Sequence, residues 1–138
     1  MILPGGVRDA IVAHARDAAP AECCGMLIGS AGAVTSAVRA RNIAGEPSRF
    51  LIDPVDHIRA RRDARDAGRD VVGFYHSHPH SAATPSETDL AEATYPNHLY
   101  VIVGLKEEAA DVRVYRFTGT AFELQIADAG PDLDTHRR

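Results

Sequence analysis

The sequence predicts an α+β fold, a mixed β-sheet flanked by helices within one domain. Three observations predict it. Short apolar, β-branched runs recur along the chain, at 23–28, 34–40, 71–78, 99–104, 112–118 and 121–126. Amphipathic or capped segments lie between them, at 7–18, 54–67 and 86–94. The two kinds mix without the strict alternation of a βαβ protein. At 138 residues, 45% hydrophobic and 25% charged, the chain is long enough for one core without disulfide staples.

Val7, Ala10, Ile11, His14, Ala15 and Ala18 recur at helical spacing, and Pro20 stops that helix. His14 on this stripe reads as a partly buried structural histidine. Cys23 to Ile28 is a continuous apolar run closed by Gly29-Ser30, a buried strand. Gly32 marks a turn into the hairpin partner, Val34 to Ala40. Asn42 to Pro47 is loop, and Phe50-Leu51-Ile52 reads as a short strand. Asp53-Pro54 has the form of an N-cap followed by proline at the first helical position, and Gly68 ends that helix. Its charges fit a solvated face, with Arg59–Asp63 and Arg62–Asp66 as expected pairs. A strand at 71–78, a loop at 79–85, a helix from Ser86 and three closing strands complete residues 1–127. The small, polar, charged residues 128–138 are expected to form a flexible tail.

The net charge of −4, with 15 basic residues interleaved among 19 acidic ones, argues against a nucleic-acid surface. No apolar run approaches the ~20 residues that span a bilayer, and no signal-peptide pattern opens the chain, so no membrane role is expected and the expected compartment is the cytoplasm. The only cysteines, Cys23 and Cys24, are adjacent and cannot staple distant segments. Within an apolar run they read as buried free thiols.

Chemistry concentrates between residues 73 and 89. The strand ends in His76-Ser77-His78, and alternation puts both imidazoles on one side. Asp89 follows eleven residues after His78, at the start of a predicted helix. Two imidazoles and a carboxylate converging from a strand end and a helix start are the ligand set of a catalytic zinc, with the fourth position left to water. A His-x-His pair alone arises by chance on surface loops, and Ser86-Glu-Thr-Asp89 alone is a capping box. Together they point to metal, because a ligating carboxylate must be held rigidly and a capped helix start does that. Pro79 breaks the alternation beyond His78, so His80 reads as a loop or rim residue. A hydrolytic site also needs a second carboxylate to move protons. Glu22, Asp53, Glu87 and Glu123 lie near strand ends, and spacing does not choose among them.

With these residues in view, the chain resembles the JAMM (MPN+) zinc metallopeptidases, and within them the compact prokaryotic subgroup. The likeness lies in Glu22, set in Glu22-Cys-Cys-Gly-Met-Leu-Ile-Gly29, in His76-Ser-His78, and in Ser86 and Asp89 at the family's spacing. The resemblance implies a curved sheet with cytidine-deaminase-like layering. It implies one zinc ion per chain held by His76, His78 and Asp89, with Glu22 as general acid/base and Ser86 helping to stabilise the oxyanion. Ser77 is expected to orient the site by hydrogen bonds. The implied reaction is hydrolysis of the peptide or isopeptide bond after the C-terminal tail of a ubiquitin-like or sulfur-carrier protein, whose extended tail would dock beside the metal as an added strand. Two alternatives remain open: a zinc hydrolase of a small amide, and a non-catalytic MPN-type interaction module. A deaminase site is disfavoured, since His-x-Glu and Pro-Cys-x-x-Cys are absent.

Overall fold

A computed structural model describes residues 3–30 and 32–126. The element order is α1 (Gly5–Ala18), β1 (Cys24–Ser30), β2 (Ala33–Ala40), α2 (Pro54–Asp66), β3 (Asp70–His78), α3 (Glu87–Glu92), β4 (Leu99–Gly104), β5 (Asp111–Phe117) and β6 (Phe122–Ile126). The strands form one sheet in the order β2-β1-β3-β4-β5-β6. Only β3 and β4 are parallel; every other neighbouring pair is antiparallel. This is the mixed sheet of an α+β fold. The expected tail at 128–138 lies outside the described residues. No described helix is long and apolar enough to cross a membrane.

Alternation along β3 divides the core between the two faces of the sheet. Tyr75 joins Val7, Ile11 and Ala15 of α1 on one face. Phe74 joins Met26 of β1 and Ala60 and Ala64 of α2 on the other. His76 and His78 share the parity of Phe74, so they emerge on the α2 side of the sheet. His14 Nδ1 lies 2.6 Å from the Tyr75 hydroxyl, so this histidine is a structural partner on the α1 face.

Four local readings change. On α1 the buried stripe contains Val12, and Ala10 is exposed, because the larger side chain claims the sheet-facing position. Phe50-Leu51-Ile52 is not a strand; only one bridge, Asn42 to Ile52, is formed. The Leu51 N–H goes instead to the Asn42 side chain, which folds the segment into a loop. The expected ion pairs along α2 give way to Arg41, which reaches Asp53 at 2.7 Å and Asp56 at 3.4 Å. Helix α3 is shorter than expected and Ala93 is already extended, ahead of Pro96, which disfavours helix in the residue before it.

Candidate metal centre

His76 and His78 stand at the end of β3, opposite Cys24 of β1 on one side and opposite Ile102 and Gly104 of β4 on the other. Gly104 is required there. A Cβ at this position would lie 2.6 Å from the Ala83 nitrogen and 2.7 Å from the Ser81 oxygen, so only glycine lets the 81–83 loop cross. That loop turns the Ala82 carbonyl toward His78, whose Nδ1 lies 3.0 Å away. Asp89 arrives from α3 through the capping box: the Ser86 hydroxyl accepts the Asp89 N–H at 3.0 Å, and Asp89 Oδ2 accepts the Ser86 N–H at 2.9 Å.

The three side chains converge. His76 Nε2 lies 3.1 Å from Asp89 Oδ1, His78 Nε2 lies 3.0 Å from Asp89 Oδ2, and the two Nε2 atoms are 3.2 Å apart. Because His78 Nδ1–H donates to Ala82, its Nε2 carries a lone pair; this tautomer is assigned from the hydrogen-bond network. A lone pair and a carboxylate facing one another at such distances repel unless positive charge lies between them. Burial opposes ionisation of Asp89, but the two imidazoles, which donate to it when protonated, outweigh it and hold the carboxyl well below its usual range. Burial likewise works to lower His78, yet Asp89 and the Ala82 carbonyl raise it: the site draws a proton. Burial lowers His76 despite the same carboxylate. The donor set therefore fits a divalent cation, with all three ligand atoms within 4.8 Å of one another.

Glu22 precedes β1, and its backbone is held by the 42–51 loop rather than by the sheet. Its N–H donates to the Pro47 carbonyl at 3.2 Å and its carbonyl accepts from Asn42 Nδ2 at 3.0 Å. The side chain is half-buried and lines the same cleft as His78, Ser86 and Asp89. Burial pushes its carboxyl up to about 7; His78 opposes the shift, while Asp89 and Glu92 add to it. The other three sequence candidates, Asp53, Glu87 and Glu123, do not line the cleft. Asp53 caps α2 by accepting the Val55 N–H, and Glu87 and Glu123 are exposed. His80 is exposed on the cleft wall and stands outside the converging trio.

The sequence reading missed the loop that covers His76. Phe50 stacks on the His76 ring, with centroids 4.3 Å apart and planes 20° from parallel. Phe50, Asp89 and Glu92 are shared by two clefts. One, on the His76 side, is apolar and includes Leu51, Phe74, Tyr95 and Tyr100. The other, on the His78 side, includes Glu22, Arg49 and Ser86. An ion pair between Arg49 and Glu92 joins the loop to α3.

Residues 4–118 match the family described as prokaryotic homologs of the JAB domain. The chain is 38% identical over 133 residues to a desampylase of Haloferax volcanii, covering 91% of this chain and 94% of that one. It is 32% identical over 124 residues to the CysO-cysteine peptidase of Mycobacterium tuberculosis, covering 88% and 85%. A JAB1/MPN domain protein from Archaeoglobus fulgidus shares the fold, with a TM-score of 0.60 at 24% identity over 91% of this chain and 92% of that one.

Proposed function

This chain belongs to the prokaryotic JAB-domain family, a compact branch of the JAMM/MPN group, and from that premise we propose that it is a cytoplasmic zinc peptidase acting after the C-terminal tail of a ubiquitin-like or sulfur-carrier protein. The observation that carries the reading is the convergence of His76, His78 and Asp89, the last two of which line the cleft that also holds Glu22. A desampylase and a CysO-cysteine peptidase among the relatives support a protein tail, rather than a small amide, as substrate.

In this reading His76, His78 and Asp89 hold the metal. Zinc, when bound, supplies a water that ionises near neutral pH and polarises the scissile carbonyl. Glu22 takes the proton of the attacking water and returns it to the leaving amine. A carboxyl raised to about 7 is suited to both halves of that transfer, since both protonation states are populated near neutrality. The Ser86 hydroxyl already accepts the Asp89 N–H, which leaves its own proton free to donate to the developing oxyanion. Because Glu22 must reach the leaving amine, the released group lies on the His78 side of the groove. The acyl tail then lies against Leu51, Phe74 and Tyr95.

The test is mass spectrometry of β-grasp carriers bearing extensions after their C-terminal Gly-Gly, incubated with the zinc-loaded protein with and without a chelator. The expected result is loss of the extension that the chelator abolishes. Zinc-loaded protein that leaves every carrier intact but cleaves small amides would favour the other hydrolase; protein that takes up no zinc would favour the interaction module.

A further inference from the structure

We infer that Asn42 is a positioning residue for the metal centre, closing the 42–51 loop so that Phe50 is laid on His76 while the Glu22 backbone is held beside it. The inference rests on the metal-binding reading above. The Asn42 amide uses its full hydrogen-bonding capacity. Nδ2 donates to the carbonyls of Glu22 at 3.0 Å and Arg49 at 2.9 Å, while Oδ1 accepts the N–H groups of Ala44 and Leu51, each at 3.0 Å. Only one amide orientation satisfies all four, since a flip would set oxygen against two carbonyls and nitrogen against two N–H groups. One side chain thus bonds to the residues on both sides of Phe50 and to the residue carrying the candidate acid/base.

His76 needs such help. His78 is oriented by the Ala82 carbonyl, the polar anchoring usual for a ligating histidine. His76 Nδ1 is buried and has no hydrogen-bond partner among the described residues. With Nε2 facing the metal, Nδ1 carries the proton and nothing polar fixes the ring's rotation. The flat face of Phe50 does so instead, as an offset stack that favours one ring plane. Phe50 in turn has no strand to hold it, and its place depends on the loop that Asn42 ties shut.

Cobalt(II) is the probe, because its visible spectrum reports ligand geometry without a substrate. Affinity, by chelator competition, and spectrum are measured for the wild type, Asn42→Asp, Phe50→Leu, Phe50→Tyr and the Asn42→Asp/Phe50→Leu double variant. Asn42→Asp keeps both acceptor contacts and turns both donor contacts into repulsions; Phe50→Leu keeps apolar bulk without a flat face. Each is expected to weaken cobalt binding by roughly 10-fold or more and to alter the spectrum, the range seen when the support of a ligand is lost. Phe50→Tyr is expected to restore both. The double variant is expected to be little worse than the poorer single one, because both changes act through the same ring. Unchanged cobalt affinity and spectrum in Asn42→Asp or Phe50→Leu, or strict additivity in the double variant, would overturn the inference while leaving the peptidase reading intact. A wild type that binds no cobalt and no zinc would instead overturn the metal reading, and this inference with it.

Discussion

The hydroxyl of Ser77 accepts the backbone N–H of Cys23 at 2.8 Å, and the Cys23 carbonyl accepts the N–H of Ser77 at 3.3 Å. Cys23 follows Glu22, and Ser77 stands between the two histidines. This pair therefore sets the spacing between the candidate proton carrier and the candidate ligands. Ser77→Ala leaves a buried N–H without its acceptor, at a cost of about 1–3 kcal/mol. Urea denaturation is expected to show that loss. Zinc affinity is expected to hold while turnover falls; equal loss of both would mean that Ser77 supports the ligands rather than Glu22.

Glu22→Gln is expected to keep one zinc per chain while the rate falls by about 10²–10⁴-fold, the usual worth of a general acid/base. The same substitution is expected to raise the melting temperature at pH 8. The sign follows from burial: a folded carboxyl raised from 4.5 to about 7 binds its proton more tightly than the unfolded one, so its contribution to stability falls as pH rises through that window. Glutamine removes that penalty. Calorimetry at pH 5 and pH 8 checks it, and a gain no larger at pH 8 than at pH 5 would contradict the assignment.

Gly104→Ala touches no ligand, yet is expected to damage the site. Its methyl group would press on Ser81, Ala82 and Ala83, and the carbonyl of Ala82 would move away from His78 Nδ1. Zinc affinity by chelator competition is expected to fall by roughly 10-fold or more. Full affinity would show that the 81–83 loop yields without disturbing the histidine.

Both cysteines are expected to resist chemistry. Burial pushes the Cys23 thiol up to about 11 and the Cys24 thiol up to about 12. At pH 8 neither has appreciable thiolate, the reactive form. Iodoacetamide is expected to add no mass to the native protein at that pH and two labels after denaturation. Thiols that ionise later when folded also make stability fall as pH rises above their ordinary value of 9.0.

The convergence of His76, His78 and Asp89 was legible because local periodicity prepares it. His76 and His78 differ by one strand repeat, and Ser86 and Asp89 by one helical turn, so each pair is oriented before any tertiary contact forms. Glu22 drew notice by opening a buried strand, but spacing did not choose it among four carboxylates, and only family likeness gave it a role; the cleft contains Glu22 and not the other three. Phe50 and Asn42 were not legible. Phe50-Leu51-Ile52 has the composition of a buried strand, yet Phe50 and Ile52 are half-buried and Leu51 is exposed, all three lining the apolar cleft. What makes the segment a loop is an amide side chain eight to ten residues away, and no pattern of alternation encodes that. The exposed Ala10 and buried Val12 reflect the same limit: periodicity gives a helix its stripe, but side-chain size sets the final rotation.

Asp89 belongs to two structures at once, the trio and the first turn of α3. That helix has six residues and buries none of them, so it is too short to persist on its own. If the centre holds an ion as proposed, the same carboxylate both grips it and closes the cap, which would couple occupancy of the centre to the integrity of one wall of the groove. Starved of metal, the molecule would not simply idle: its wall would fray, exposing the peptide bonds of 87–92 to other proteases. Scarcity of the ion would then be felt as shortened lifetime of the protein as well as lost turnover.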